Sequence, residues 1–391
     1  MRGLDPGLVE RVRTELGSRP GAVTRGRVAQ AVRDTGGVLG DQAVLAAATV
    51  VQAELVGAGP LEGLLADPCI TDIMVNGAAG VWVDRGRGVE QVRVDVGPEP
   101  AVRALAVRLA AAAGRRLDDA APFVDARLPG GVRLHVALPP LVEGGTHLCL
   151  RVPARRAMTV AELVECGTIP ADWAQVITAV VEQRLAFLVC GGTGAGKTTV
   201  LAALLARVPA NERIVVVEDC AEVRIDHPHV VRLESRAPNV EGRGRIDLTE
   251  LVRQALRMRP DRLVVGEVRG AEVRELLAAL NTGHEGGCGT VHANDATEVP
   301  ARLEALGALA GLGRAAVHAQ LAGAVQVVLH LTRRGARRQL TQVGVVRRAD
   351  AAADGRVEVV PALVRAVEGS APGGARAEGW PVLQRMLQER A

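Results

Sequence analysis

The sequence predicts an α/β protein: a mainly parallel sheet, preceded by a smaller α+β domain and an N-terminal helical segment. Three patterns carry that expectation. Beyond about residue 169, short apolar runs alternate with helical periodicity, as strands and crossover helices do in a parallel sheet. Between residues 58 and 154 the apolar runs are short, strand-like and joined by glycine-rich turns. Before residue 57, apolar side chains recur at helical spacing.

In chain order, the helical segment (residues 1–57) is broken near Pro20 and at Gly36-Gly37, where proline and glycine interrupt the repeat. The α+β domain (residues 58–154) starts with a short helix at Pro60–Ala66. Strands follow at Ile70–Asn76, Val81–Asp84 and Val89–Asp95, a helix at Glu99–Ala113, and strands at Phe123–Leu128, Val132–Leu138 and His147–Val152. Residues 155–168 read as a linker. In the second domain (residues 169–348), strands are expected at Leu185–Cys190, Ile214–Glu218, Val230–Glu234, Leu263–Glu267, Gly289–His292 and Val325–Leu331. Its helices are expected at Lys197–Arg207, Leu248–Met258 and Ala271–Leu280. The tail (residues 349–391) is rich in Ala and Gly around Pro372–Gly379, so partial disorder is expected, with a short helix near Val382–Glu389.

At 391 residues the chain has room for two cores. Both must be aliphatic, since the sequence holds two Phe, three Trp and no Tyr. Basic and acidic side chains number 47 and 44, a net charge of +3, which argues against a nucleic-acid surface with its concentrated basic face. The six cysteines include no CxxC pair, which disfavours zinc knuckles and dithiol chemistry and fits a reducing cytoplasm. Met1–Glu10 is charged and lacks the apolar core of a signal peptide. The longest uncharged stretch, Ala315–Leu331, is short and contains His318, Gln320, Gln326 and His330, so no membrane span is expected.

Gly191-Gly192-Thr193-Gly194-Ala195-Gly196-Lys197-Thr198 matches G-x-x-x-x-G-K-[ST] between an apolar strand and a helix, the context that gives the Walker A pattern its meaning. Its glycines let backbone N–H groups curl around a β-phosphate, and the helix start adds the positive end of its dipole. Lys197 reaches the β- and γ-phosphates, and the Thr198 hydroxyl is placed to ligate Mg²⁺, with Thr199 next on the helix. A glycine turn with an incidental lysine would produce the pattern roughly once per thousand chains of this composition. Lys197 is also the only lysine among the 47 basic residues. A planar arginine fork fits the cradle poorly, where a compact ammonium fits well. ATP and Mg²⁺ are the expected ligands.

Ile214-Val215-Val216-Val217-Glu218-Asp219 ends in carboxylates, with Glu222 four residues beyond Glu218. Acids at a strand's carboxyl end in an open α/β sheet face the ligand crevice. Glu218 and Glu222 are therefore candidates for holding Mg²⁺-bound waters, and Glu218 also for activating the attacking water. Leu263-Val264-Val265-Gly266-Glu267 has the placing of a Walker B strand, yet Gly266 stands where an aspartate is common. Glu267 is the first candidate to orient or deprotonate the nucleophile. His284 and His292 flank a glycine-rich turn. With no third ligand at short spacing they read as polar residues of the nucleotide site rather than as a zinc site.

This order of Walker A, acidic box, Arg-rich segment, G-E Walker B and histidine box resembles the secretion-system and pilus-assembly P-loop ATPase superfamily of type II and IV secretion. The likeness is closest to the tight-adherence (Flp) pilus branch. It also rests on Leu233-Glu234-Ser235-Arg236, Asn239-Val240-Glu241-Gly242, Leu256-Arg257-Met258-Arg259-Pro260-Asp261 and Gly266-Glu267-Val268-Arg269-Gly270. In the N-terminal half it rests on Gly59-Pro60-Leu61 and Asp72-Ile73-Met74-Val75-Asn76-Gly77, so it runs from about Leu55 to Val345.

The resemblance implies a RecA-like ATPase domain after the smaller domain, assembled as a homo-hexamer. It implies ATP hydrolysis that powers pilus assembly or secretion through a polytopic inner-membrane platform, with the protein peripheral at the cytoplasmic face. It further implies that arginines of the first domain complete the site: Arg127 and Arg133, flanking Pro129-Gly130-Gly131, and Arg151 match family positions, with Arg133 and Arg151 as catalytic candidates. The tetracysteine module of many type II enzymes is absent. A conjugative DNA-transfer ATPase and a non-hydrolysing nucleotide-binding scaffold are the alternatives. Few aromatics for base stacking weigh against the first, and the intact Lys197, Thr198, Glu218 and Glu267 against the second.

Overall fold

In a computed structural model the chain divides into two units, Met1–Arg155 and Arg156–Ala391. The structure describes residues 6–18, 23–35, 40–153, 156–236, 238, 242–349, 355–365 and 374–390. The breaks expected at Pro20 and Gly36-Gly37, the family-like Asn239–Glu241 and the start of the Pro372–Gly379 stretch lie outside the described residues.

The first unit opens with helices α1 (Pro6–Gly17), α2 (Arg25–Thr35) and α3 (Asp41–Val56), which bury Val12, Val28, Val32, Val44, Ala48 and Val51 in a small core of their own. After a short α4 (Glu62–Ala66) come β1 (Asp72–Asn76), β2 (Val81–Asp84), β3 (Val89–Val92), α5 (Glu99–Ala112), β4 (Phe123–Arg127), β5 (Arg133–Ala137) and β6 (His147–Arg151). The strands pair antiparallel in the order β3-β2-β1-β6-β5-β4. Burial alternates along β1, β2, β4, β5 and β6, the period-two pattern of a sheet with one covered face. Ile73, Val83, Leu134 and Leu150 on that face share a cluster with Val102, Leu105 and Leu109 of α5.

The second unit contains α6 (Val160–Glu165), α7 (Ala174–Glu182), β7 (Phe187–Gly191), α8 (Lys197–Leu205), β8 (Ile214–Glu218), β9 (Val230–Glu234), α9 (Leu248–Leu256), β10 (Arg262–Val268), α10 (Glu272–Leu280) and β11 (Cys288–Val291). Then come α11 (Val299–Leu309), α12 (Arg314–Ala324), β12 (Val327–Arg334), β13 (Arg337–Arg348), β14 (Val357–Arg365), β15 (Gly374–Arg376) and α13 (Trp380–Glu389). Among the described residues the strand order is β15-β14-β13-β12-β7-β11-β10-β8-β9. From β9 to β12 every neighbour is parallel, and from β12 onward every neighbour is antiparallel. β7 and β8 are buried at every residue because helices cover both faces: Phe187, Val189, Ile214 and Val216 join one cluster, and Leu188, Cys190, Val215 and Val217 the other.

One expectation needs correction, and the tail adds structure that was not expected. The stretch read as a linker, residues 155–168, contains α6, started by a capping box in which Thr159 and Glu162 satisfy each other's backbone N–H groups. Leu163 of α6 is buried in the core of the second unit, so in its described part this stretch is packed structure. In the tail, the helix expected near Val382–Glu389 is present as α13, while β14 was not expected; Val360, Leu363 and Leu383 lie in the same core. Pro361 within Val357–Arg365 discourages a strand reading, since proline donates no ladder hydrogen bond. The sheet accommodates it with a bulge: Val343 pairs Leu363 and Gly344 pairs Pro361, leaving Ala362 as the extra residue. The uncharged stretch Ala315–Leu331 becomes most of α12 and the first part of β12.

Leu383 is fully buried. Leu383→Ala is expected to destabilise the second unit by about 2–5 kcal/mol, read as a lower midpoint in chemical denaturation. An unchanged midpoint would show that α13 is not part of the core.

Candidate active site

The parallel register brings the chemical groups to one rim. Cys190 pairs Val291, Gly191 pairs Leu331, and Val217 pairs Val265, so β7, β8, β10, β11 and β12 run in the same direction with aligned carboxyl ends. The chain leaves that rim as the Walker A loop after β7, as Glu218 and Asp219 at β8, and as His292 after β11. In β10 one extra residue is inserted between Val265 and Val268 relative to β11, so Gly266-Glu267 forms a bulge. Such a bulge re-aims a side chain. The Thr290 hydroxyl fixes it by donating to the Gly266 carbonyl at 2.7 Å.

The Walker A loop ends at Gly196, whose φ of +93° precedes α8. That backbone conformation favours glycine and turns the first amides of the helix toward the loop's interior. Lys197 is buried, and its ammonium donates to the Gly191 and Gly192 carbonyls, each at 3.0 Å. Burial holds its pKa below the usual lysine value. Ala195 is buried, Thr193 and Thr199 are exposed, and Thr198 is half-buried at the helix start.

A chain of polar and charged side chains continues from Lys197. His292 Nε2 lies 2.6 Å from Glu267 Oε1 and 3.3 Å from Lys197 Nζ. One ring nitrogen cannot donate to the carboxylate and accept from the ammonium together, and an ammonium can only donate, so the hydrogen bond runs from Lys197 Nζ to His292 Nε2 while Glu267 stays in close contact with the same ring. Burial and then the Lys197 charge hold His292 below the ordinary histidine pKa. Arg269 donates to Glu267 Oε2 through Nε at 2.7 Å and also through Nη2, and its Nη1 lies 3.7 Å from Asp219. The sequence reading gave Arg269 no role. Its position two residues beyond Glu267 on the same strand end was the available signal.

Glu218 explains the glycine at the Walker B position. A Cβ added at Gly266 would lie 2.5 Å from Glu218 Cγ and 2.9 Å from its Oε1. The Glu218 side chain of the neighbouring strand β8 therefore fills the space over Gly266. Glu218 Oε1 accepts from the backbone N–H groups of Glu222 and Val223 at 3.0 and 2.9 Å. Its Oε2 is buried with no hydrogen-bond partner among the described residues. Desolvation outweighs the two backbone bonds and pushes the carboxyl up to about 6. A buried, unpaired carboxylate oxygen at the same rim as the Thr198 hydroxyl is a donor set that suits Mg²⁺. Among the described residues no three His, Cys, Asp or Glu side chains converge as a metal site, so water and phosphate oxygens would complete the shell.

His284 is a correction. β11 begins by pairing Cys288 with Phe187, the first residue of β7, and His284 precedes that start. It lies at the opposite rim, separated from His292 by a four-residue strand, about 13 Å at roughly 3.3 Å per residue. There its Nδ1 lies 3.3 Å from the Ala279 carbonyl. Fully buried Arg262, paired with Glu212 at 2.5 Å, reaches the Gly286 carbonyl at 3.4 Å and pins the same turn. The strand expected at Gly289–His292 already separated the two histidines in the sequence. In the first unit, Arg127 pairs Arg133 and Arg133 pairs Arg151, so the three arginines form one row across β4, β5 and β6. Asp125 lies 3.9 Å from Arg133, and Asp72 lies 3.8 Å from Arg151.

The profile of the family described as "Type II/IV secretion system protein" matches residues 54–372. Putative conjugal transfer protein Rv3659c of Mycobacterium tuberculosis (strain ATCC 25618 / H37Rv) is 57% identical over 330 residues, covering 83% of this chain and 93% of that protein. Conjugal transfer protein TrbB of Rhizobium radiobacter is 31% identical over 284 residues, covering 71% and 84%. The crystal structure of the pilus retraction motor PilT with bound ADP matches with a TM-score of 0.52 at 18% identity, over 84% of this chain and 85% of that one. At that identity the likeness is one of fold, a RecA-like domain preceded by an N-terminal domain.

A carboxyl raised from 4.5 to about 6 binds its proton more tightly in the folded chain than in the unfolded one. Its contribution makes stability fall as pH rises from about 4.5 to about 6, and the cost persists above that window. Glu218→Gln keeps an acceptor for Glu222 and Val223 and removes the charge. It is expected to raise stability by up to about 2 kcal/mol near pH 7.5 and by little near pH 4.5. Parallel denaturation curves for mutant and wild type at both pH values would refute this placement of Glu218 if the difference did not depend on pH.

Proposed function

The chain belongs to the Type II/IV secretion system protein family, and on that premise we propose that it is an ATP-hydrolysing motor, working as a hexameric ring, that powers pilus assembly or secretion through a membrane platform. One observation carries the reading: Lys197, the Walker A backbone, Glu218, Glu267 and His292 stand at one rim of one parallel sheet. Among the described residues no single helix is long and apolar enough to cross a membrane. Attachment at the cytoplasmic face through partners fits that observation.

The chemistry follows from what each group has to exchange. Lys197 exchanges the Gly191 and Gly192 carbonyls for β- and γ-phosphate oxygens, while the first amides of α8 face the β-phosphate. Thr198 and, through water, Glu218 and Glu222 would hold Mg²⁺, which when bound supplies positive charge on the β- and γ-phosphate oxygens. Both Glu267 oxygens are engaged, one by His292 and one by Arg269. Glu267 therefore positions the attacking water when one of those partners moves to the phosphates, and His292, already close to Lys197, is suited to report that move. On the family resemblance, Arg133 and Arg151 are the candidates to supply charge to the transferring phosphoryl group. Glu218, with its higher proton affinity, is the rival for activating water.

A second reading has its own support: two relatives, one of them 57% identical, are named as conjugal transfer proteins. In that case the same motor serves DNA transfer. A net charge of +3 and the scarcity of aromatics weigh against direct strand handling. Binding of single-stranded DNA that weakens steeply with salt would favour the second reading.

Lys197→Ala is expected to lose measurable ATP hydrolysis with an unchanged melting curve, and retained turnover would end the motor assignment. Glu267→Gln should bind Mg-ATP and hydrolyse it at least about a hundredfold more slowly. Loss in Glu218→Gln with normal turnover in Glu267→Gln would exchange the two roles. Arg133→Ala and Arg151→Ala should keep ADP affinity and lose hydrolysis; full rates in both would leave that arginine row outside the site.

A further inference from the structure

The hairpin of β12 and β13 overhangs the Walker A loop with arginines that the site described above does not use. β12 runs beside β7 as far as Leu331, opposite Gly191, then continues to Arg334 and turns through Gly335 into β13. Arg333 is paired across the hairpin with Arg338, and Arg334 with Arg337. Like charges placed directly opposite on an antiparallel pair repel. This tip therefore gains from any acceptor or anion brought against it.

One acceptor is already there. Arg338 Nε donates to the Gly194 carbonyl at 3.0 Å. The packing around that bond is close: a Cβ added at Gly196 would lie 3.1 Å from Arg338 Cδ, and one at Gly194 would lie 2.9 Å from Arg333 Nη1. In a trans peptide the carbonyl and the following N–H point in opposite directions. A guanidinium holding the Gly194 carbonyl outward thus turns the Ala195 N–H inward, where it lies 3.4 Å from the Gly192 carbonyl.

We propose that Arg338 is a positioning residue of the nucleotide site: by holding the Gly194 carbonyl outward it presents the Walker A amides to the phosphates, and it ties the β12–β13 hairpin to nucleotide occupancy. The inference rests on the nucleotide-site reading. It differs from that reading in acting through the loop backbone rather than through contact with the substrate. The bond is charge-assisted, so its loss is felt at the loop it holds.

The test measures ADP affinity in the presence of Mg²⁺ by calorimetry for the full chain, Lys197→Ala, Arg338→Ala, Arg338→Lys and Arg334→Ala. Amide hydrogen exchange of residues 191–198 is followed without nucleotide. Arg338→Ala is expected to weaken ADP binding about tenfold, to speed exchange at Ala195 and Gly196, and to leave the nucleotide-free melting curve in place. Arg338→Lys should recover part of the affinity, and Arg334→Ala should bind ADP like the wild type. Wild-type affinity in Arg338→Ala overturns the proposal. So does an equal loss in Arg334→Ala, which would make the effect one of general charge. If the wild-type chain itself binds no ADP, the nucleotide-site reading falls and takes this inference with it. Failure of the positioning role alone leaves the difference between wild type and Lys197→Ala intact.

Discussion

Parallel hydrogen bonding among β7, β11, β10 and β8 is the constraint on which the chemistry depends. These strands are interior, nearly every residue along them is buried, and helices cover both faces. Such strands have little freedom to slip, because a one-residue shift would exchange every side chain between the two cores. The fixed register places the Walker A turn, Glu218, the Gly266-Glu267 bulge and His292 at one rim. The same register carries His284 to the other rim, however near it stands in the sequence.

Within that rim, Glu218 and Gly266 form a single steric unit. The glycine cannot gain a side chain without displacing the acid, and the acid occupies room that only a glycine leaves. An unpartnered, buried carboxylate oxygen costs stability. Burial of that kind is expected where a charged ligand or a proton is to be met. The neighbouring run of Lys197, His292, Glu267, Arg269 and Asp219 joins a buried ammonium through an imidazole to charges of opposite sign and ends on partly exposed groups. Its members can exchange partners at modest cost, unlike a fully buried ion pair.

The antiparallel half of the sheet links fold to site. His318 of α12, buried and 2.7 Å from Glu304, accepts from the Val357 N–H at 2.8 Å and so anchors the start of β14. β14 pairs β13, and β13 carries Arg338 to the Walker A loop. The C-terminal strands and α13 thereby support a hairpin that touches the Walker A loop, while completing the core of the second unit.

The sequence by itself determined the α/β class, the Walker A loop and the acids at strand ends, because each is a local pattern whose meaning depends on neighbours a few residues away. The placing of Lys197 at a helix start and of Glu218, Glu267 and His292 at the ends of strands was legible in that way. Tertiary structure alone decided that Glu218 stands over Gly266, that Arg269 and His292 share Glu267, and that Arg338 caps the Gly194 carbonyl. Each of these joins residues on different strands or across a turn, and register rather than composition sets their distance. The C-terminal strands escaped the sequence reading for a related reason. Pro361 and the Ala- and Gly-rich surroundings speak locally against a strand, and only the bulge opposite Gly344 and the waiting apolar edge of β13 make one stable.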